Sequence, residues 1–127
     1  MWCKELVWYP DFEDLKFVNN LMIDLIGGHR GVRNNYDVFE KILEHVKDEE
    51  GIFRKAAVLL RRLRFAFLFE DANKRTAYVA TRQFLEMNGE SMKIRNLDEA
   101  LRSIKDLGKY DLEEIEDWLR HGSKREG

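Results

Sequence analysis

The single proline of this chain, Pro10, limits most strongly what the chain can fold into. Proline breaks a helix because it lacks a backbone N–H and its ring clashes with the preceding turn. After residue 10 no proline interrupts the chain, and apolar side chains recur there at three- and four-residue steps, as they do along the buried face of an amphipathic helix. The sequence therefore predicts an all-α fold.

Polar N-caps, apolar periodicity and terminal glycines predict about six helices. These helices span about residues 12–26, 36–46, 52–69, 73–88, 97–107 and 112–119. The predicted N-caps are Asp11, Asn35, Asn96 and Asp111. Residues 92–94 are expected to be extended. Because 127 residues suffice for one hydrophobic core and no repeat or long linker appears, we expect a single compact bundle over residues 1–127.

The apolar stripes define the expected core. In the first helix the stripe consists of Leu15, Val18, Met22, Leu25 and Ile26. In the third helix it consists of Ala56, Leu59, Leu60, Leu63, Ala66 and Phe67. Phe67 is predicted to pack inside because it follows Leu63 by four residues. The three tryptophans, Trp2, Trp8 and Trp118, are expected to fill the core or a subunit contact.

Charge and cysteine content exclude several classes of protein. Lys and Arg total 22 against 24 Asp and Glu, and a net charge of −2 gives no overall attraction to nucleic acid or acidic membrane. The arginines at 54, 61, 62 and 64 are interpreted as a solvated helix face paired with carboxylates, with a nucleic-acid surface as the alternative. A lone cysteine, Cys3, suits a reducing cytosol. The first ten residues resemble neither a signal peptide nor a membrane span, so a cytoplasmic protein is expected.

The densest functional signal is FEDANKRTA, residues 69–77, between the third and fourth predicted helices. The free N–H groups of a helix N-terminus favour an anion, and Asn73, Lys74 and Arg75 add donors and charge. Asp71 together with phosphate oxygens is a common way to bind Mg²⁺. These residues indicate a Mg-nucleotide site. The alternative is that Asp71 only caps the helix and the other three are ordinary exposed residues of its first turn.

The segment FLFEDANKRTAYVATRQFLEMNG resembles the signature of the Fic/Doc (Fido) superfamily, in particular its Doc, or death-on-curing, branch. The core motif of that branch is His-x-Phe-x-Asp-Ala-Asn-Lys-Arg. The glycine-rich segment GGHRGVR, which ends at Arg33, is also similar to Doc-type chains. The resemblance implies a Fido-like helical bundle that transfers a phosphate-containing group from a nucleotide to a protein hydroxyl. For the Doc branch it implies kinase-type transfer to a translation factor, by a toxin that a separate antitoxin protein inhibits.

The resemblance also implies roles for individual residues. Asp71 would hold Mg²⁺, Asn73 would line the anion pocket, and Lys74 and Arg75 would bind the phosphates of ATP or another nucleotide. Ala72 stands in this nucleotide-binding segment where AMP-transferring members usually have glycine. The family's inhibitory motif has no match in the chain, although SKREG, from residue 123, is one residue short of it.

One residue departs from the motif at the position of the general base. The motif histidine corresponds to Phe67, which cannot accept a proton. Loss of a general base typically lowers the rate about 10²–10⁴-fold, whereas binding can persist. Of the three histidines, His29 is the possible substitute base because it lies in the glycine-rich segment, while His45 and His121 lie near predicted helix ends.

Three hypotheses follow from these residues. The first is a Doc-like pseudoenzyme with a retained Mg-nucleotide pocket and weak or absent transfer. The second is an active protein kinase or AMP-transferase toxin that uses a substitute base. The third is a non-catalytic protein interaction module. None of them involves a membrane or direct binding of nucleic acid.

Overall fold

The structure is a computed structural model that describes residues 6–34 and 36–122. These residues form six α-helices and one short 3₁₀ turn. The α-helices are α1 (Phe12–Ile26), α2 (Tyr36–Asp48), α3 (Ile52–Ala66), α4 (Asn73–Met87), α5 (Leu97–Lys105) and α6 (Leu112–His121). The described residues contain no β-sheet and only one isolated antiparallel bridge, between Val32 and Phe69. The predicted all-α fold is confirmed.

Local capping explains where several helices begin. At α1 the Asp11 carboxylate accepts the Asp14 N–H at 2.8 Å, and the Asp14 carboxylate accepts the Asp11 N–H at 2.8 Å. Such a reciprocal pair satisfies N–H groups that no helical carbonyl can reach. Asn96 and Asp111 cap α5 and α6 as predicted. The predicted cap Asn35 lies outside the described residues.

Helix α3 is the centre of the bundle, since it packs against α2, α4 and α6. Residues 55–60 of this helix are all buried. Burying one aliphatic side chain stabilises a fold by roughly 1.5–3 kcal/mol, so this segment contributes much of the core. Trp118 is buried in that core as predicted, and Trp8 packs partly buried against it, whereas Trp2 lies outside the described residues.

Two predictions about the core were wrong. Helix α3 ends at Ala66, three residues earlier than predicted. Phe67 then adopts a left-handed backbone conformation with φ 49°, and its side chain points out of the bundle. Phe67 is 44% exposed. In α1 the side chains of Leu25 and Ile26 are 69% and 56% exposed. Their stripe continues past the small buried cluster that joins α1 to Ala72 at the start of α4, so none of the described helices buries these two side chains.

The arginines of α3 contact three different neighbours. Arg54 Nε donates to the Glu116 carboxylate at 2.8 Å, and Arg64 Nε donates to the carbonyl of Ile104 at 3.1 Å. Arg62 Nη1 lies 3.1 Å from His45 Nδ1. Because these partners belong to α6, α5 and α2, the arginines do not form one basic surface. His45 and His121 lie in the last turns of α2 and α6, as predicted.

No helix in residues 6–34 and 36–122 combines the length and apolarity needed to cross a membrane.

Candidate functional site

Residues 67–72, here called the motif loop, reverse the chain between α3 and α4. Both ends of the loop have a positive φ, 49° at Phe67 and 62° at Ala72. A residue other than glycine pays roughly 1–2 kcal/mol for this conformation, so contacts elsewhere must hold the loop. Those contacts come from α1, from α4 and from residues 27–34, here called the glycine-rich loop.

The backbone of the glycine-rich loop pairs with the motif loop. The N–H groups of Arg33 and Asn34 both donate to the carbonyl of Leu68, at 2.7 and 3.2 Å. In the other direction the Glu70 N–H donates to the carbonyl of Gly31 at 2.9 Å. These bonds give partners to backbone N–H and carbonyl groups that belong to no regular sheet or helix. The sequence indicated that this loop is on the surface, but not that it holds the motif loop in place.

The side chain of Asn34 closes the C-terminal end of α3. Its Nδ2 donates to the carbonyl of Ala66 at 2.9 Å and to that of Phe67 at 3.0 Å. The last carbonyls of a helix have no partner within the helix, and here a residue more than thirty positions earlier supplies one. This cap and the left-handed Phe67 together end α3 before residue 69.

Asp71 is fixed by two backbone N–H groups. Its Oδ1 accepts the N–H of Ala72 at 2.9 Å, and its Oδ2 accepts the N–H of His29 at 3.1 Å. These two bonds, the one from Ala72 foremost, lower the pKa of the Asp71 carboxyl, and the positive charge of Arg75 adds to the effect. The carboxylate is therefore ionised at neutral pH. The alternative that Asp71 caps α4 was wrong, because the N-cap is Ala72, with no side-chain cap.

The contact between Asp71 and the glycine-rich loop requires a glycine at position 28. A Cβ atom on Gly28 would lie 2.8 Å from Asp71 Oδ2 and 2.8 Å from the Cδ1 atom of Ile23. Gly28 also has a φ of +129°, which other residues rarely adopt. The loop approaches the carboxylate this closely only because the side chain is absent.

Asn73, the first residue of α4, uses its amide to hold the motif loop. Its Nδ2 donates to the carbonyl of Phe69 at 2.8 Å, and its Oδ1 accepts the N–H of Phe69 at 3.1 Å. The same side chain lines the cleft described below. Asn73 is thus placed at the predicted pocket, with its oxygen and one N–H already bound.

Arg75 faces α1. Its Nη1 donates to the carbonyl of Met22 at 3.2 Å and its Nη2 to that of Gly27 at 3.1 Å. These carbonyls belong to the negative, C-terminal end of α1, where a guanidinium is favourably placed. Arg75 therefore ties α1 to α4, and it does not line the cleft that contains Asp71. Asn19 of α1 holds both the motif loop and α4, since its Nδ2 donates to the carbonyl of Asp71 at 2.8 Å and to the hydroxyl of Thr76 at 3.1 Å.

A cleft of about 370 Å³ opens beside the motif loop. It is lined by Arg33, Arg64, Phe67, Glu70, Asp71, Asn73 and Lys74. Lys74 forms no hydrogen bond or ion pair with a described residue, so its ammonium is available to a ligand. Arg33, Arg64 and Glu70 were missed from sequence. Two of them had a signal, because Glu70 lies within the segment 69–77 and Arg33 ends the glycine-rich segment.

A larger cleft, of about 550 Å³, lies between residues 89–95 and Arg120 and contains no residue of the motif loop. We place the candidate site at the smaller cleft, where the ionised Asp71, Lys74 and the start of α4 come together.

The donor set at the smaller cleft suits a metal ion that arrives with its ligand. No group of three or more His, Cys, Asp or Glu residues within the described part of the chain could hold a metal ion. Mg²⁺ is usually bound by one or two carboxylates together with substrate phosphates and water. Asp71 supplies one ionised carboxylate, and both of its oxygens keep acceptor capacity. The residues present fit a Mg-phosphate ligand better than a resident metal.

The predicted substitute base, His29, lies next to Asp71 but outside the cleft lining. Its backbone N–H bonds the carboxylate, and its ring is close enough to contribute to the lowered pKa of Asp71. Its side chain is exposed to solvent. Phe67, at the predicted position of the base, does line the cleft.

Comparison with known proteins places this site within a family. A search of curated proteins finds no match to the chain. The family model described as Fic/DOC family matches residues 9–85, which is more than half of the chain and includes both loops of the site. The chain therefore belongs to the Fic/DOC family.

Proposed function

We propose that this chain is a Doc-type pseudoenzyme, the toxin homologue of a toxin–antitoxin pair, that binds Mg²⁺ and a nucleotide such as ATP but transfers phosphate weakly or not at all. The observation that carries the proposal is the position of Phe67. Its side chain lines the cleft beside Asp71 and Lys74, and the resemblance to the family motif implies a histidine at this position.

Retention of nucleotide binding is supported by three groups that converge on the cleft. The Asp71 carboxylate is ionised and oriented by backbone bonds. The Lys74 ammonium forms no hydrogen bond or ion pair with a described residue, and α4 begins without a side-chain cap on its first N–H groups. Such N–H groups and the positive end of the helix dipole favour phosphate oxygens. Asp71 would hold Mg²⁺, which when bound neutralises phosphate charge.

Loss of transfer is supported by the side chains around Phe67. A general base must lie within hydrogen-bond reach of the attacking hydroxyl, and phenylalanine has no atom that accepts a proton. No histidine lines the cleft. With nucleotide bound and the base absent, the expected rate loss is about 10²–10⁴-fold.

A second candidate is a working transferase, and one observation favours it. The carboxylate of Glu70 lines the same cleft as Phe67 and Lys74, so it could accept the proton, in addition to the possible base His29. Phosphoryl transfer relies mainly on positioning and charge neutralisation. The acceptor would be a protein such as a translation factor, and a separate antitoxin in the cytoplasm would control the toxin. The predicted near-match to the inhibitory motif, from residue 123, lies outside the described residues.

Calorimetric titration with ATP, with and without Mg²⁺, tests the binding. We expect Mg²⁺-dependent binding that is weakened in Asp71→Asn and in Lys74→Ala. Lys41→Ala is the matched control, because Lys41 is an exposed lysine on α2, away from the cleft. If no nucleoside triphosphate binds, the pocket is absent and the chain is better explained as a non-catalytic interaction module.

Incubation with labelled ATP and a cell lysate tests the chemistry. The proposal expects no labelled protein band with the natural chain and a band with Phe67→His, since the substitution restores the missing base. The double variant Phe67→His with Asp71→Asn should give no band. A band with the natural chain that disappears in Glu70→Gln or His29→Ala would support the second candidate.

A further inference from the structure

The cleft contains three cationic side chains, and only one of them belongs to the sequence motif. Arg33 comes from the glycine-rich loop, Arg64 from the last turn of α3, and Lys74 from the motif. The motif's own arginine, Arg75, does not line the cleft. Its two terminal nitrogens already donate to carbonyls at the end of α1.

We propose that Arg33 is a phosphate-binding residue of this cleft, that it supplies the guanidinium which Arg75 does not offer, and that the cleft therefore selects a nucleoside polyphosphate over a monophosphate. The inference rests on the proposed nucleotide binding and adds to it a residue outside the motif and a class of ligand.

Arg33 has both a free side chain and a fixed backbone. Its guanidinium forms no hydrogen bond or ion pair with a described residue. Its N–H donates to the carbonyl of Leu68 at 2.7 Å, one of the shortest backbone bonds between the two loops. The next residue, Asn34, is bound to the end of α3. An anchored backbone with a free guanidinium can bind an anion with little loss of loop entropy.

The charge around the cleft matches a polyphosphate. Arg33, Arg64 and Lys74 face the carboxylates of Glu70 and Asp71, which leaves an excess of one positive charge before any metal binds. Mg²⁺ held by Asp71 would increase that excess. With the two charges of Mg²⁺ the excess would be three, which is more than the two negative charges of a monophosphate can balance. Guanidinium groups bind the oxygens of such phosphates through paired hydrogen bonds.

Arg64 is less suited to this role than Arg33. Its Nε donates to the carbonyl of Ile104 at 3.1 Å, and its guanidinium carbon lies 4.8 Å from the ring centre of Phe65. These contacts leave only its terminal nitrogens for a ligand. Arg33 therefore gives the sharper test.

The test compares Arg33→Gln with Arg30→Gln by calorimetric titration with Mg-ATP and Mg-AMP. Arg30 is the matched control, because it lies in the same loop but pairs with Asp24 and does not line this cleft. A hydrogen bond between charged groups is worth about 1.5 kcal/mol or more, so Arg33→Gln should weaken Mg-ATP about tenfold. We expect a much smaller loss for Mg-AMP, a partial rescue by Arg33→Lys, and an unchanged melting temperature, since the guanidinium forms no hydrogen bond or ion pair with a described residue.

Three results would overturn the inference. If the natural chain binds Mg-ATP and Arg33→Gln binds it equally well, Arg33 has no part in the site, while the proposed function stands. If Arg33→Gln weakens the binding of Mg-ATP and of Mg-AMP to the same extent, or lowers the melting temperature, Arg33 acts by supporting the loop and does not bind the phosphate chain. If the natural chain binds no nucleotide, both proposals fail.

Discussion

Substitution of Gly28 by alanine tests whether the glycine-rich loop holds the carboxylate of Asp71. The new Cβ atom would lie 2.8 Å from the carboxylate Oδ2 and 2.8 Å from the Cδ1 atom of the buried Ile23. Both atoms must move, or the loop must retreat and take the His29 N–H with it. The substitution should therefore impair stability and Mg-nucleotide binding together.

Gly27 is the matched control for this substitution. It has a similar backbone conformation, φ 113° against 129°, but a Cβ atom there meets nothing within 4 Å. Gly27→Ala should cost only the backbone strain, about 1–3 kcal/mol. Gly28→Ala should cost that strain and a further 1–3 kcal/mol or so for overpacking.

Urea denaturation of the two variants measures this difference, and titration with Mg-ATP measures its effect on the site. We expect Gly27→Ala to keep the affinity of the natural chain and Gly28→Ala to lose most of it. Equal unfolding free energies together with equal affinities would refute the reasoning, because the close approach would then have no energetic consequence.

Two further predictions concern the anchors of the motif loop. Asn34→Ala removes the side-chain bonds to the carbonyls of Ala66 and Phe67 and should destabilise the fold by about 1–2 kcal/mol in urea denaturation. Asn20→Ala, on the exposed face of α1, should stay within about 0.5 kcal/mol of the natural chain, and equal losses in the two variants would contradict the capping role. The pKa of Asp71 is lowered in the folded chain, so the unfolded chain binds the proton more readily, and the stability from its carboxylate is lost as pH falls. The stability difference between the natural chain and Asp71→Asn should therefore shrink as the pH falls below 3.8, the ordinary pKa of this carboxyl, and a constant difference would show that the ionised form is not favoured.

The features that the sequence predicted well are those set by residues close together in the chain. Asp11 and Asp111 cap helices through partners three residues away, and Gly27 ends α1 within its own last turn. In the apolar stripe predicted for α3, Ala56, Leu59, Leu60 and Leu63 are buried. In each case the physical cause is contained in one helical turn or one helix face.

The features that the sequence missed depend on distant partners. Arg75 carries a guanidinium, a group that commonly binds phosphate. In the structure this group donates to carbonyls at the end of α1, about fifty residues earlier in the chain. Phe67 continued an apolar stripe, yet Asn34 ends the helix just before it. Periodicity cannot reveal a cap that comes from another loop. It predicts that the side chain at position 67 lies in the core, whereas that side chain lines the cleft.

Asn73 and Arg75 belong to the sequence motif and also form bonds that hold the fold together. This has a consequence for how such a motif persists during evolution. Substitution of Asn73 or Arg75 would remove bonds that hold the motif loop or join α1 to α4. The side chain at position 67 faces the cleft, and only its backbone carbonyl is bound to Asn34. A lineage released from selection for catalysis can therefore change position 67, while stability still preserves Asn73 and Arg75. In this chain the presence of Asn73 and Arg75 is therefore evidence about the fold, and the side chain at position 67 is the more direct indicator of the chemistry.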